Sequence, residues 1–478
     1  MFFYASSITP TSGRSMPVKA APGFSSIIRT NRFTPDYKNS IVNTISSRLQ
    51  SAPRPLLIAL ALGLVVRTLF ISLHDRPLIS DEREYDQLAF NLASRATYAY
   101  DEAPTAYRPV GYPAIVGALY VVAGHHPLAA KFFQGFLDVL TAFLIYLILV
   151  ARSPRSAVIG ALLWSVFPPA VFYANFLMSE TIFTLLLMLA ITILVRNTQA
   201  RPGLLLSLGI TIGLLALMKP GAALLVLVPV ALYRRLQLSA RTLALTVLSA
   251  GVVIAPWVIR NWVTFDEFAI SSNGGVNLLI GNHPGATGAY NLMFDPSIMS
   301  SASSEFEAER SARRYAWNYI ADNPGTFAVN SLKKLAHFFE SEGGILVWTF
   351  HPQPETPSTR FGTKYREIPV ALSLLANIPY GLILLTGLLG FIAADRDVMW
   401  WTSLLVGVIW LCIHMLFFGG SRFHFPLMAI ATLYATLALV RPSSTFRGLA
   451  LTRRVLWLVL TGLLLALWSY EGFMVFDA

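Results

Sequence analysis

The chain has 478 residues, 55% of them hydrophobic and only 13% charged, with a mean hydropathy of +0.58, whereas about a quarter of a soluble domain's residues are charged. The formal charge of +11 would suit nucleic acid, but the Lys and Arg residues sit in short loops at alternate ends of apolar runs. That is the positive-inside pattern of a membrane protein, with the bilayer rather than a nucleic acid as partner. The lone cysteine, Cys412, lies in an apolar run and excludes an internal disulfide or a Cys-based metal site.

Residues 1–54 differ from the rest. They are rich in Ser and Pro and hold seven Lys or Arg against one acid, Asp36. No apolar core for a secretory signal is present, so a disordered basic cytoplasmic tail is expected. A first span follows at 56–73, with Arg48 and Arg54 before it and acidic residues after it, which places the N-terminus inside. The loop after it is then outside. It contains an amphipathic helix near 84–96, with Leu88, Ala89, Leu92 and Ala93 at helical spacing. The apolar run 113–123 is too short to cross and is expected at the interface, completing a first-loop helix pair.

Further spans are expected at 129–150, 157–174, 177–195, 204–218, 222–233 and 243–259, then at 369–393, 400–418, 425–440 and 455–468. The fifth and sixth are short and meet at Lys219-Pro220-Gly221, so a broken hairpin is the alternative. Arg152, Arg155, Arg196, Arg201, Arg234, Arg235, Arg241, Arg396, Arg441, Arg447, Arg453 and Arg454 all fall in inside loops on this topology. The fold class is an all-α polytopic membrane protein of about eleven transmembrane helices. It divides into a tail (1–54), an N-terminal transmembrane module (55–259) whose first outside loop (74–128) bears the chemistry, an outside region (260–368) and a C-terminal transmembrane module (369–478). The outside region opens with Asn-, Gly- and Ser-rich sequence at 271–288. A helix is expected from Ser304, capped through Glu307 and ending before Asn323-Pro324, with a second at 326–340.

The candidate chemistry gathers on the outside. Asp81-Glu82-Arg83-Glu84 with Asp86 is the densest acidic group, and a carboxylate facing a cavity can take a proton from a hydroxyl. The bland alternative is a solvated loop at a helix N-terminus. Arg108 is the loop's best phosphate ligand, because a guanidinium offers a planar fork of donors. Glu180, Lys219, Arg422 and His424 sit at outer ends of spans. Outside cations run against the positive-inside rule and favour a specific anion there, the alternative being snorkelling to headgroups. Asp138, within a span, needs a partner that the sequence does not name. No P-loop, His-Glu-x-x-His or Gly-x-Ser-x-Gly signature occurs.

Six short motifs recur in a telling order: Ser80-Asp81-Glu82-Arg83-Glu84-Tyr85 with Leu88-Ala89; Tyr107-Arg108-Pro109-Val110-Gly111-Tyr112-Pro113; Phe167-Pro168 to Ser179-Glu180; Met218-Lys219-Pro220; Pro256-Trp257-Val258-Ile259-Arg260-Asn261; and Ser421-Arg422-Phe423-His424-Phe425-Pro426. With this order the chain, over about 56–440, resembles the C-type (GT-C) membrane glycosyltransferases that use polyprenyl- or dolichyl-phosphate sugars. Protein O-mannosyltransferases and the aminoarabinose transferases of lipid A belong to that family. The resemblance implies transfer of a sugar from a polyprenyl-phosphate donor to a hydroxyl of a lipid, glycan or protein acceptor, with inversion, on the outer face of a bacterial plasma membrane. It implies Asp81 as base with Glu82 beside it, and Arg108, Arg422 and Lys219 on the donor phosphate. Glu84, Tyr85, Tyr112, Glu180 and His424 are then supporting or acceptor residues. No cofactor is expected, although a divalent ion on Asp81 and Glu82 stays open. The long outside segment lacks the added domain of the eukaryotic mannosyltransferases, which counts against a protein acceptor. A flippase for lipid-linked saccharides and a lipid-diphosphate-dependent glycan ligase are the rival readings.

Overall fold

The computed structural model describes residues 53–197, 201–350, 368–440 and 442–476. The basic tail expected over 1–54 lies almost wholly outside them. The chain is helical almost throughout, because in a bilayer every backbone polar group must be satisfied within its own segment. Helix α1 (Arg54–Leu73) leads into the expected first-loop pair, α2 (Asp81–Arg95) and α3 (Gly111–Ala123). These two are joined by a two-residue hairpin, β1 (Ala99–Tyr100) with β2 (Ala103–Pro104), in register Ala99 to Pro104. Leu88 and Ala89 bury the predicted face of α2, and Gly117 of α3 lets the two helices come close beside Ala89.

The membrane helices follow as α4 (Pro127–Leu149), α5 (Pro154–Ser165), α6 (Pro168–Ala174), α7 (Glu180–Arg196), α8 (Pro202–Met218), α9 (Leu227–Ala231) and α10 (Ala240–Phe265). Seven helices in the described residues are long and apolar enough to cross a membrane, or eight if α5 and α6 form one span. The run expected as a single span at 157–174 is broken. Pro168 has no N–H to continue the ladder, and the two pieces meet at 52°. Eleven is reached only by adding α7 and α8, of 17 residues each, and the stretch Pro220–Ala231. In that stretch a 3-10 turn (Pro220–Val226) precedes α9, in keeping with the broken-hairpin alternative. Gly209 and Gly213 of α8, spaced by four, meet Thr246, Ser249, Ala250 and Val253 of α10, the small-residue contact that lets membrane helices approach closely.

After α10 come α11 (Gly274–Gly281), α12 (Ser297–Ser300), α13 (Glu305–Asp322), α14 (Pro324–Phe338) and α15 (Gly343–Phe350). Ser304 caps α13 by accepting the Glu307 N–H at 3.2 Å, but the Glu307 carboxylate turns to the Ser303 N–H instead of closing the box. The glycine-rich stretch is not irregular. Gly275 sits against the Glu309 carbonyl and Gly281 against that of Phe417, approaches that any Cβ would block. The last helices are α16 (Val370–Ala393), α17 (Val398–Leu416), α18 (Ser421–Val440), α19 (Pro442–Arg447) and α20 (Leu451–Phe476).

Asp138 finds its partner on α1. Arg67 Nε donates to Asp138 Oδ2 at 2.8 Å, Nη2 reaches the same oxygen, and Trp164 Nε1 donates to Oδ1 at 3.2 Å. Arg67 also donates to the carbonyls of Gly63, Ser165 and, at 3.2 Å, Trp164. The last two lie at the broken end of α5, where the Trp164 carbonyl also accepts the Phe167 N–H at 3.2 Å, so the guanidinium repairs the break while the carboxylate neutralises it. Both side chains are fully buried.

Candidate active site

The helix break at Lys219, the start of α18 and the first loop converge on a cavity of ≈ 360 Å³. Its wall includes Asp81, Tyr85, Arg108, Glu180, Lys219 and Arg422, six of the residues expected from sequence. Met178, Trp410, His414, Phe418 and Phe423 make the wall largely apolar.

Asp81 opens α2 after Ser80, whose φ of 46° and ψ of −126° put a non-glycine residue in a sparsely populated conformation. Strain of that kind costs on the order of 1–3 kcal/mol and collects at functional sites. The carboxylate is shared by two guanidiniums: Arg108 Nη2 donates to Oδ1 and Arg422 Nη1 to Oδ2, each at 2.8 Å. Burial raises the Asp81 pKa, but Arg422 and then Arg108 overcome it and hold the carboxyl at about 2. Burial likewise pushes the Tyr85 phenol up to about 12, so it stays a neutral donor.

Arg108 is held by more than Asp81. Its Nε donates to Glu84 Oε2 at 2.7 Å, and its carbonyl accepts the Tyr98 hydroxyl at 2.8 Å. The preceding residues are tied to distant helices. Glu305 of α13 accepts from Thr105 Oγ1 and the Ala106 N–H, and Arg260 of α10 donates to the carbonyls of Thr105 and Tyr98. Arg422 comes from the first turn of α18, where the Ser421 N–H donates to Glu340 Oε1 at 3.1 Å. Lys219 Nζ donates to Glu180 Oε1 at 3.0 Å, while Glu180 Oε2 is buried with no hydrogen-bond partner among the described residues.

The other expected residues stand back from the cavity. Glu82 is buried: Oε2 accepts from Arg76 at 2.7 Å and from the Ile79 N–H, and Oε1 accepts the Leu177 N–H. These bonds pin the start of α2 to α6–α7. Tyr112 sets its edge on Tyr85 and donates to Gln134 Oε1. His424 is buried against Glu342 at 3.1 Å, with its Nδ1 at 2.7 Å from the Phe338 carbonyl. Glu84 lies on the rim. Among the described residues no three His, Cys, Asp or Glu side chains come together as cation ligands. Sequence reasoning missed Trp410 and His414, which follow Trp400 on one helix, and the anchors Glu305 and Arg260, whose partners lie 200 and 155 residues away.

No protein-family model matches the chain, and no curated protein matches it. Among solved structures the chain is similar to the apo oligosaccharyltransferase of Archaeoglobus fulgidus, at 14% identity and a TM-score of 0.47, over 88% of this chain and 55% of that one. It is similar to the same organism's AglB with an inhibitory peptide and a dolichol-phosphate, at 13% identity and a TM-score of 0.43, over 88% and 55%. It is also similar to ArnT of Cupriavidus metallidurans bound to undecaprenyl phosphate, at 16% identity and a TM-score of 0.40, over 81% and 78%. The chain thus spans about half the length of the archaeal proteins. At TM-scores below 0.5 these likenesses carry no argument about the chemistry of this chain, which rests on its own residues. The neighbours are C-type membrane glycosyltransferases, the kind of protein that the sequence resembles.

Proposed function

We propose that this multi-pass membrane protein transfers a sugar from a polyprenyl-phosphate donor to an acceptor hydroxyl at the outer membrane surface. The observation that carries the reading is the sharing of one carboxylate, Asp81, by Arg108 and Arg422 in the wall of the cavity. Arg108 is also paired with Glu84, and Lys219 in the same wall with Glu180, so the three cations are held by carboxylates that an incoming anion can replace. The phosphodiester that links lipid to sugar is an anion suited to compete for these cations, and its departure as a lipid phosphate monoester calls on all three.

In the free protein Asp81 is a weak base, since its proton affinity is suppressed by its two partners. A donor phosphate competes for the same guanidiniums. As they turn to the phosphate, the carboxylate loses its stabilising contacts and its pKa climbs. Donor binding therefore switches on the base. Asp81 takes the acceptor hydroxyl's proton, the oxygen bonds to the anomeric carbon, and the carbon–oxygen bond to phosphate breaks on the opposite face. The phosphate leaves with the electron pair, stabilised by Arg108, Arg422 and Lys219. A single carboxylate and an opposite leaving group give inversion. Glu82 serves as an anchor that aims Asp81, and Tyr85 and Glu84 hold Arg108.

Residues 260–368 then lie on the outer side, between a first module (55–259) and a last (369–478), with the N-terminus inside a bacterial plasma membrane. The test offers labelled polyprenyl-phosphate sugars to membranes containing the wild type or Asp81→Asn at equal protein level. Transfer is expected to fall by about 10²–10⁴-fold in the variant. Equal transfer removes Asp81 as the base, and no transfer by the wild type with any donor restores a flippase.

A further inference from the structure

A second set of cations lies across α2 from the cavity, at the end of α1 and the start of α4. Arg76 uses only one edge of its guanidinium. Nη1 donates to Glu82 Oε2 at 2.7 Å and to the Pro77 carbonyl at 3.0 Å, and the plane lies 4.1 Å above the Phe176 ring. The other edge, Nε with Nη2, is the side-on fork that grips two oxygens at once. Both nitrogens are buried and have no hydrogen-bond partner among the described residues. The side chain is 6% exposed, so this is a built position and not a solvated surface arginine.

Three neighbours are as poorly satisfied. Lys131 is 1% exposed, and its ammonium comes no nearer to a carboxylate than 3.7 Å, to the largely exposed Asp75. It lies within electrostatic reach of both Arg76 and Glu82. His74 stacks on Phe70 with its Nδ1 buried and unpartnered. Asn175 donates to the His74 carbonyl at 2.9 Å, leaving Oδ1 unpartnered. Buried donors without acceptors are rare in native proteins, because each forfeits its hydration. An unpartnered guanidinium edge beside an ammonium with no close carboxylate points to an anion.

We infer that the Arg76 fork, with Lys131 and His74, is a binding site for the phosphate group of an amphiphile, separate from the donor cavity. The chemistry selects a tetrahedral oxyanion: two oxygens for the fork, another for Lys131, and a protonated one for Asn175 Oδ1. Its place at the ends of two membrane helices puts the phosphate at headgroup level. Phe70 and Phe350 pack on His74, and Phe176 on Arg76, apolar surroundings suited to the rest of the molecule. On the transferase reading above, on which this role rests, the amphiphile is the acceptor. Arg76 shares Glu82 with the helix that carries Asp81, so a filled fork brings the acceptor up beside the base.

The test counts bound phosphates on the full chain by native mass spectrometry, with short-chain phosphatidic acid as probe. Two are expected on the wild type, one on Arg76→Gln and, through loss of the donor site, one on Arg422→Gln. Arg76→Lys does not restore the second, because an ammonium has no fork, and Lys131→Gln weakens it about tenfold or more. Lys131→Gln also guards against misfolding of the Arg76 variants, which an unchanged thermal midpoint checks. Equal counts in wild type, Arg76→Gln and Lys131→Gln overturn the site. Inorganic phosphate displacing the lipid at equal concentration identifies a free anion as the ligand and overturns the amphiphile. An unchanged count in Arg422→Gln sinks the donor-phosphate reading and leaves this site standing.

Discussion

One arginine–aspartate pairing is sealed inside the helix bundle and another faces the cavity, and their difference separates architecture from chemistry. Arg67 and Asp138 form a closed account within the bundle: one cation, one anion, every remaining donor on a carbonyl, and no exposure. Asp81 is the reverse case. It faces a cavity, two guanidiniums compete for it, and one of those leans on Glu84 at the rim. The first pair has nothing left to bind. The second has surplus donors and a strained approach at Ser80, the properties of a place that waits for an anion.

The largest effect expected from this contrast is on folding. Arg67→Leu leaves a buried carboxylate alone and should destabilise the bundle by about 3–5 kcal/mol, read as a lowered thermal midpoint or lost protein. Arg67→Met with Asp138→Leu should recover most of that, because the charges go together, but not the carbonyls at the α5 break. A double variant as unstable as the single one would mean that repair of the break, rather than charge pairing, is the main role of Arg67.

The next effect is on pH dependence. The folded-state pKa of Asp81 is depressed to about 2, below its ordinary value of 3.8. Its ionised form therefore contributes stability that is present above about pH 4 and lost as pH falls toward 2. For the free enzyme, kcat/KM should show no acid limb from Asp81 near neutrality. Once donor phosphate has drawn off the arginines, kcat should fall at a pH at least about one unit higher than kcat/KM does. Coincident limbs would mean that the arginines keep hold of Asp81 during turnover, and the switch would be wrong.

The smallest effect belongs to Glu84. Its side chain is 40% exposed, and an ion pair so placed is worth about 0–1 kcal/mol. Glu84→Gln should change kcat/KM by no more than about fivefold and leave stability unmoved. A loss approaching that of Asp81→Asn would shift the base to the rim and erase the contrast drawn here.

Much of this was legible in the chain. Leucine and alanine spacing announced α2, Ser304 announced α13, and Asn323-Pro324 its end. Its planar fork of donors singled out Arg108, the positive-inside rule Lys219 and Arg422, and all three reached one cavity. What was not legible is what depends on meetings across the fold. Asp81 and Arg422 are 341 residues apart, and nothing local joins them. Glu82 reads like Asp81 in sequence, yet one residue's rotation about α2 turns it inward to anchor the helix. The break between α5 and α6 had a visible cause in Phe167-Pro168-Pro169, overridden by a hydropathy window that averages across it. The glycine-rich stretch at 271–288 drew only a statement of its composition, which does not report that Gly275 and Gly281 are there to let two neighbours in.

The 17 residues of α7 and of α8 bear on the surrounding lipid. At 1.5 Å per residue each reaches only about 25 Å, against about 30 Å of hydrocarbon. Most of α7 is buried among its neighbours, whereas α8 exposes Leu206 and Ile210, so lipid would meet the mismatch along α8. On the proposed transferase reading, a long-chain carrier would come to the cavity through lipid thinned beside α8, and the acyl-chain length of the membrane would then set how readily it arrives.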